Sequence, residues 1–360
     1  MKVYIDKLKD GDLSYKDSRA AVVYLLDRAT PVETHDFLIA LNQKEIAVSE
    51  LAGFAQGMKD RAEGITLNMG KFLANYAKSN IFASYDPSTI KIADTCGTGG
   101  SKTNNIGTGS MPIISGAGVP VAKHGNNAVT SNSGSADVLQ ELGVNIMLTP
   151  AQSQEVMEEV GCVFLYARTF HPLMKNVAAI RKKIKEERGE GTIFNLVGPL
   201  ANPANVGAQL VGVYDKRLCK KFPQALDQLG IEKALVVHSQ GLDEISNIGE
   251  TVVYELNKGE VHDYTIHPSD FGFKVYTKED ISGATVQENA KYIRDALNGV
   301  KGPMRDVYLM TAGAILYAAG RAKTIKEGVE IAIETVDSGA AAGQLEKLVA
   351  CSNKFLTKPS

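Results

Sequence analysis

The run DTCGTGGSKTNNIGTGS, Asp94 to Ser110, restricts the fold more than any other stretch of this chain. It contains five glycines and many short polar side chains. An alternating segment, TIKIAD, leads into it, and an apolar helix-like segment begins near Thr108 or Ser110. Strand, bare loop and helix in that order are the opening of an α/β unit, in which ligands bind beyond the carboxyl ends of strands. Gly97, Gly99 and Gly100 remove side chains, so backbone N–H groups can approach an anion closely. Thr98, Ser101, Thr103, Asn104, Asn105 and Thr108 add neutral donors. No GK[ST] ends the loop and no G-x-G-x-x-G is present, so it is neither a Walker loop nor a dinucleotide fingerprint. By itself it fits a phosphate cradle or a plain structural turn.

The remaining pattern extends that unit. Before Thr89 the chain reads as helices only. Thr30-Pro31-Val32-Glu33 forms a capping box with Pro at the first helical position. Ser49 opens SELAGFAQGMKDRAE, whose Leu51, Phe54 and Met58 share a face, and KFLANYAKSNIF follows as another helix. After the glycine run, VPVA reads as a strand and SADVLQELGV as a helix that stops at Gly143. Thr149-Pro150 caps AQSQEVMEEV, Gly161 ends it, and the strand CVFLY follows. QLVGVYD and KALVVHS are buried strands separated by a helix near LCKKFPQALDQLG. Strands alternating with helices predict an α/β fold with a mainly parallel central sheet beside a small all-helical domain. The expected division is 1–80 helical, joined by helices around 175–195, and 81–360 α/β.

Bulk properties exclude several classes. The chain has 360 residues, 44% hydrophobic and 22% charged, a globular profile. A formal charge of −2 argues against a general nucleic-acid binder. The amino terminus MKVYIDKLKDGD lacks an apolar signal core, and no run approaches the roughly 18 apolar residues of a membrane span. A cytoplasmic protein is expected. Cys96, Cys162, Cys219 and Cys351 are widely spaced without a CxxC pair, which fits reduced thiols. Cys96, inside the glycine run, reads as small filler or as a nucleophile.

Four further runs carry chemistry. In AKHGNNAVTSNSGSADVL, Lys123 and His124 follow the strand VPVA, Gly125, Asn126 and Asn127 make a turn, and Ser131, Ser133 and Ser135 lead into a helix N-terminus, which favours negative charge. The bland alternative is a surface Lys-His pair. FHPLMKNVAAIR places His171 and Arg181 ten residues apart, close to three helical turns, so the two could share a face. Arg181 could hold a carboxylate or be a surface arginine paired with a glutamate. TIFNLVGPLANPA follows. In GLDEIS, Asp243 and Glu244 follow KALVVHS by a short loop; adjacent carboxylates at a strand end fit Mg²⁺ arriving on substrate phosphates, or are two solvated acids. Between Arg181 and Thr192, RKKIKEERGEGT reads as a solvated helix end and loop.

Taken in order, these runs resemble the anthranilate phosphoribosyltransferases over nearly the whole chain. The family pattern is GTGG with a downstream N-I-S-T, KHGN with S-x-S-G-S-A-D, HP-x-M-K, IFN-x-x-GPL-x-NP and GLDE. Here these read GTGG with NNIGTGS, KHGN with SNSGSAD, HPLMK, IFNLVGPLANP and GLDE. The resemblance implies a small helical domain beside a large α/β domain, as in the pyrimidine nucleoside phosphorylases. It implies transfer of a phosphoribosyl group from phosphoribosyl pyrophosphate to the amine of anthranilate, in tryptophan synthesis. By the match, Gly97, Thr98, Gly99, Gly100, Ser101, Lys102, Asn105, Thr108, Lys123 and Ser135 would contact phosphoribosyl pyrophosphate. Gly97, His124, Asn126, His171 and Arg181 would line the anthranilate path, with Arg181 meeting its carboxylate. Asp243 and Glu244 would hold Mg²⁺. No side-chain acid or base is implied, because a neutral aryl amine can attack once positioned. A homodimer through the helical domain is implied as well.

The departures from the pattern are local. Ser101 stands where the family has Asp, in a shorter loop, and Gly107 replaces the Ser of N-I-S-T. Asn127 replaces Arg, and Asn132 replaces Lys. Lys102 is the candidate to restore positive charge, and the stretch from Arg181 to Thr192 is longer than usual. Two competing readings follow. One is a related transferase or phosphorylase with another acceptor, although Asp94-Thr95-Cys96 lacks the Lys-x-Ser of the phosphorylases. The other is a non-catalytic ligand- or nucleic-acid-binding homologue.

Overall fold

A computed structural model describes residues 1–76, 91–101, 103–128 and 133–356. Lys102, Ser131, Asn132, the first residues of TIKIAD, the end of KFLANYAKSNIF and the expected boundary at 80/81 lie outside the described residues.

The chain opens with α1 (Lys2–Asp10), α2 (Tyr15–Asp27), α3 (Pro31–Asn42), α4 (Val48–Lys59) and α5 (Met69–Tyr76). The capping box at α3 forms as expected, with Glu33 N–H donating to Thr30 Oγ1 and Thr30 N–H to Glu33 Oε2. Ser49 does not open α4: its hydroxyl donates to Leu13 O, and the buried Glu50 carboxylate accepts the Ala47 N–H instead. The capping function moves by two positions because Glu50 also anchors Leu13 N and Lys44. Phe37 stacks on Phe54 at the centre of this bundle.

Next come β1 (Ala93–Gly97), α6 (Ile106–Gly116), β2 (Val121–Gly125), α7 (Ser135–Glu141), α8 (Pro150–Val160), β3 (Cys162–Tyr166), α9 (Ala167–Phe170), α10 (Lys175–Arg188) and α11 (Ile193–Val197). They are followed by β4 (Ala208–Gly212), α12 (Lys221–Gln228), β5 (Lys233–His238), β6 (Thr251–Asn257), β7 (Glu260–Ile266), α13 (Val286–Leu297), α14 (Pro303–Ala318), α15 (Ile325–Asp337) and α16 (Ala340–Asn353). The seven strands form one sheet in the order β3-β2-β1-β4-β5-β6-β7. The first five are parallel, and β6 and β7 add an antiparallel hairpin. The expected mainly parallel sheet is therefore present, and the hairpin is an addition to it.

Two strands begin later than their apolar patterns indicate. β1 starts at Ala93 and runs into Gly97, in register with Ala208 to Gly212. β2 starts at Val121, because Pro120 has no N–H to give the ladder, and its pairing with β3 reaches Gly125. Lys123 and His124 thus lie within β2 rather than after it. The order reverses between β1 and β4, since β2 and β3 extend one way and β4 and β5 the other. That crevice is where such sheets bind ligands.

Every residue of α6 is buried, which is the environment that a helix apolar on all sides requires. It packs against α14 and α16, while α14 lies on β4 and β5. The helices α10 and α11 pack back onto α2, α3 and α4. Among the described residues no helix is long and apolar enough to cross a membrane, and all four cysteines are free.

Candidate active site

The glycine loop leaves β1 at the reversal point. Thr98 N–H donates to Gly212 O at 2.9 Å, and Thr98 Oγ1 accepts from Tyr214 N–H at 3.0 Å, which ties the loop to the end of β4. Gly99 and Gly100 have φ of 78° and 116°, left-handed values that other residues rarely adopt. Gly99 N–H donates to Asp243 Oδ2 at 2.6 Å. A Cβ on Gly97 would lie 2.3 Å from Asp243 Oδ2, and one on Gly212 only 1.6 Å from Asp243 O. Glycine at both strand ends is what lets the loop after β5 seat its carboxylate against the loop after β1.

That seating removes the solvated-acid reading, since Asp243 is only 4% exposed. Burial, and then the neighbouring Asp243 charge, push the Glu244 carboxyl well above its ordinary range, with Lys123 pulling the other way. Two adjacent carboxylates with uncompensated charge fit a hard divalent cation. Mg²⁺ takes one or two carboxylates and completes its shell with water and substrate phosphates. Among the described residues no set of three or more His, Cys, Asp or Glu side chains is grouped to cage a metal.

Lys123 is 4% exposed, and its ammonium donates to Thr95 O at 2.5 Å. A Cβ on Gly107 would stand 3.1 Å from both Lys123 Nζ and Thr95 Oγ1. Lys123 is thus no surface lysine, and Gly107 leaves it room. Thr108 Oγ1, one residue on, is buried without a partner among the described residues. Buried hydroxyls are rarely left unpaired without a functional or ligand-based reason. Asn105 stands at the N-cap of α6, with Nδ2 donating to Ser133 Oγ at 2.8 Å. Ser101 Oγ lies 3.0 Å from Thr103 Oγ1. Ser135 is the first residue of α7.

The second half of the site faces the helical bundle. The rings of His124 and His171 lie 5.0 Å apart. His171 Nε2 donates to Ala201 O at 3.0 Å, and burial pushes its pKa down to about 4. Burial, followed by the proximity of His171 and Lys123, holds His124 well below its usual value, and His124 Nε2 has no partner. Both rings are neutral at pH 7. Arg181 lies on α10 with its guanidinium 5.2 Å from the centre of the Phe194 ring. Its Nε is buried and unpaired, no acidic residue pairs with it among the described residues, and burial lowers its pKa. The surface-pair reading of Arg181 fails.

His171 and Arg181 do not share a helix face. His171 precedes α10 with φ −123° and ψ 62°, because Pro172 excludes the α conformation from the residue before it. Asn126 is exposed on the turn after β2, and its Oδ1 accepts the Asn127 N–H. Asn127 is locked between Asp137 and Tyr166, each at 2.5 Å. Cys96 is filler: its Sγ lies against Pro199 O and Leu210 O, and burial followed by the charge of Asp94 raises the thiol well above its ordinary pKa. Sequence reasoning missed Asn289 of α13, whose side chain bonds to both Asn105 at the start of α6 and Ser133 just before α7. Its only sequence signal is an asparagine inside an amphipathic helix.

Comparison with known proteins finds relatives along nearly the whole chain. Residues 2–62 match the helical bundle domain of a glycosyl transferase family, and residues 89–342 match its a/b domain. The anthranilate phosphoribosyltransferase of Methanosarcina acetivorans is 44% identical over 94% of this chain and 86% of its own length. That of Haloarcula marismortui is 43% identical over 97% and 99%. The structure of the Thermus thermophilus enzyme superposes with TM-score 0.85 at 34% identity, covering 97% of this chain and 99% of its own. The Saccharomyces cerevisiae enzyme, solved with PRPP and Mg, gives 0.84 at 26% identity, covering 98% of each chain. With its helical bundle, its mainly parallel sheet and its likeness to these relatives along nearly its full length, the chain belongs to the anthranilate phosphoribosyltransferase family.

Proposed function

We propose that this protein transfers the phosphoribosyl group of phosphoribosyl pyrophosphate to the amine of anthranilate, releasing pyrophosphate, in tryptophan biosynthesis. The observation that carries the reading is the meeting, at the reversal point of the sheet, of a glycine loop, a buried lysine and two adjacent carboxylates, the buried Asp243 and the half-buried Glu244. The glycine loop from Gly97 to Gly100, with Ser101, Lys102, Asn105, Thr108, Lys123 and Ser135, binds the phosphoribosyl pyrophosphate. Asp243 and Glu244 hold Mg²⁺, which when bound offsets the negative charge of the departing pyrophosphate. Lys123 supplies fixed positive charge in a water-poor site at no reorganisation cost. Arg181 receives the anthranilate carboxylate, which supplies a counter-ion that no described residue provides. The neutral rings of His124 and His171, with Gly97 and Asn126, line the path between. Positioning and electrostatics carry the reaction, and no side chain acts as acid or base.

The test is turnover of purified protein with phosphoribosyl pyrophosphate, Mg²⁺ and anthranilate, followed by loss of anthranilate fluorescence. Turnover that collapses in Arg181→Ala and in Asp243→Ala/Glu244→Ala is the expected result. A folded wild-type protein inert across a range of Mg²⁺ concentrations would redirect the reading to another acceptor.

The protein acts as a homodimer in the cytoplasm. Exposed Val3 on α1 and Val32 on α3 support a contact through the helical bundle, and the free thiols support a reducing compartment. Sedimentation should give a dimer mass that Val3→Asp/Val32→Asp converts to the monomer.

A further inference from the structure

We propose that Asn289 is a positioning residue that fixes the spacing between the two phosphate-facing loops. The inference rests on the phosphoribosyl pyrophosphate site proposed above. Asn289 lies on α13, far along the chain from either loop, and it is 0% exposed. Its Oδ1 accepts the Asn105 N–H at 3.1 Å, at the N-cap of α6. Its Nδ2 donates to Ser133 Oγ at 3.0 Å, just before α7. The other hydrogen of Nδ2 is shared between Ala284 O and Thr285 O, both at 3.1 Å, which tethers the side chain to the N-terminal cap of its own helix. The third side of the triangle is Asn105 Nδ2 to Ser133 Oγ at 2.8 Å.

The segment leading into α13 reinforces this bracing. Asn104 N–H donates to Ile281 O at 3.2 Å, Ala284 N–H donates to Asn104 Oδ1 at 2.8 Å, and Thr103 bridges to Ser282. A stretch of chain from beyond the antiparallel hairpin therefore backs the glycine loop. A single side chain from that stretch, Asn289, bonds to both Asn105 and Ser133. The amide is also orientation-specific. A flip would set its NH₂ against the Asn105 N–H and its oxygen beside two carbonyls. An aspartate keeps the acceptor for Asn105 and loses the donors to Ser133 and the α13 carbonyls. A leucine of similar volume loses both.

The role differs from general packing in what it moves. Misplacing one loop against the other weakens ligands that touch both, namely those with a diphosphate, and leaves the anthranilate side alone. Small displacements at such a site cost up to about 10²-fold. The experiment measures KM for each substrate, and the melting shift induced by Mg²⁺–pyrophosphate, in wild type, Asn289→Asp, Asn289→Leu and the control Asn298→Ala. Asn298 caps the far end of the same helix through Arg294 O. The expected result is a KM for phosphoribosyl pyrophosphate raised about tenfold or more in both Asn289 variants. KM for anthranilate should stay within about twofold, the pyrophosphate shift should shrink, and the control should behave as wild type. If Asn289→Leu does not fold, Asn289→Asp alone carries the comparison. Lowered melting temperature with both KM values and the pyrophosphate shift unchanged would overturn the proposal. The pyrophosphate shift tests the clamp whichever acceptor the enzyme uses, whereas turnover with anthranilate tests the activity.

Discussion

Among the described residues, Arg181 holds a charge without a counter-ion. Arg181→Lys is therefore expected to restore little of the activity lost in Arg181→Ala, because an ammonium cannot reproduce the planar fork that meets a carboxylate. The check is KM for anthranilate, which should rise at least about tenfold in both variants. Glu244 presents the opposite imbalance, a half-buried carboxylate crowded by Asp243 and poorly solvated. Glu244→Gln removes that repulsion. It should raise the melting temperature of the metal-free protein by a few degrees, a shift that about 1 kcal/mol can produce, while suppressing Mg²⁺-dependent turnover. His171 sets a pH dependence. Burial holds it at about 4 in the folded chain, against an ordinary value near 6.5, so between these values only the unfolded chain takes up the proton. Its stabilising contribution is therefore complete above about pH 6.5 and is lost as pH falls toward 4, by on the order of 3 kcal/mol. His124, also held down by burial, acts in the same direction. In denaturant titrations from pH 7 to pH 4, His171→Gln should lose stability less steeply than wild type.

At the level of elements, the strand ends decide function and stability separately. Gly97→Ala would bring a methyl within 2.3 Å of Asp243 Oδ2, a side-chain atom that can swing away. The expected outcome is a folded protein with turnover lowered about 10²-fold, since a small displacement at the reacting site has that effect. Gly212→Ala meets the Asp243 backbone oxygen at 1.6 Å and has no such escape. It should cost roughly 1–3 kcal/mol or more in denaturant unfolding, as overpacking does. The exposed end of α10 behaves as the solvated helix its sequence indicates, with Lys182–Glu186 and Lys183–Glu187 pairs one turn apart. Helix caps at Thr30 and Thr149 and the strand Cys162–Tyr166 were legible because each depends on adjacent residues. The starts of β1 and β2 were not, because a strand ends where its partner stops offering hydrogen bonds.

Across the whole molecule, the C-terminal helices close the α/β domain over its own first half. Gln344 of α16 donates through Nε2 to Ser115 Oγ and to Val160 O, both at 2.6 Å. Gln344→Ala leaves those buried groups unpaired, and roughly 1–3 kcal/mol of unfolding free energy should be lost, read as a lower denaturant midpoint with an unchanged slope. The division of the fold into a helical bundle and a mainly parallel sheet was legible from the switch of hydrophobic period near Thr89. The β6–β7 hairpin was not.

The sequence by itself determined the order of helices and strands as far as β5, the glycine loop and the donor types in each motif, since these depend on local backbone freedom and residue chemistry. Its motif order was also enough to suggest the family. Tertiary structure alone decided which of those groups are buried and which meet. Asp243 rests against Gly99, His124 faces His171, Lys123 sits beside Gly107, and Asn289 bridges two distant loops. The physical reason is that desolvation and hydrogen bonding act through space. A carboxylate's charge state, or an asparagine's role, is set by whichever groups the fold brings beside it, however far away they stand in the chain.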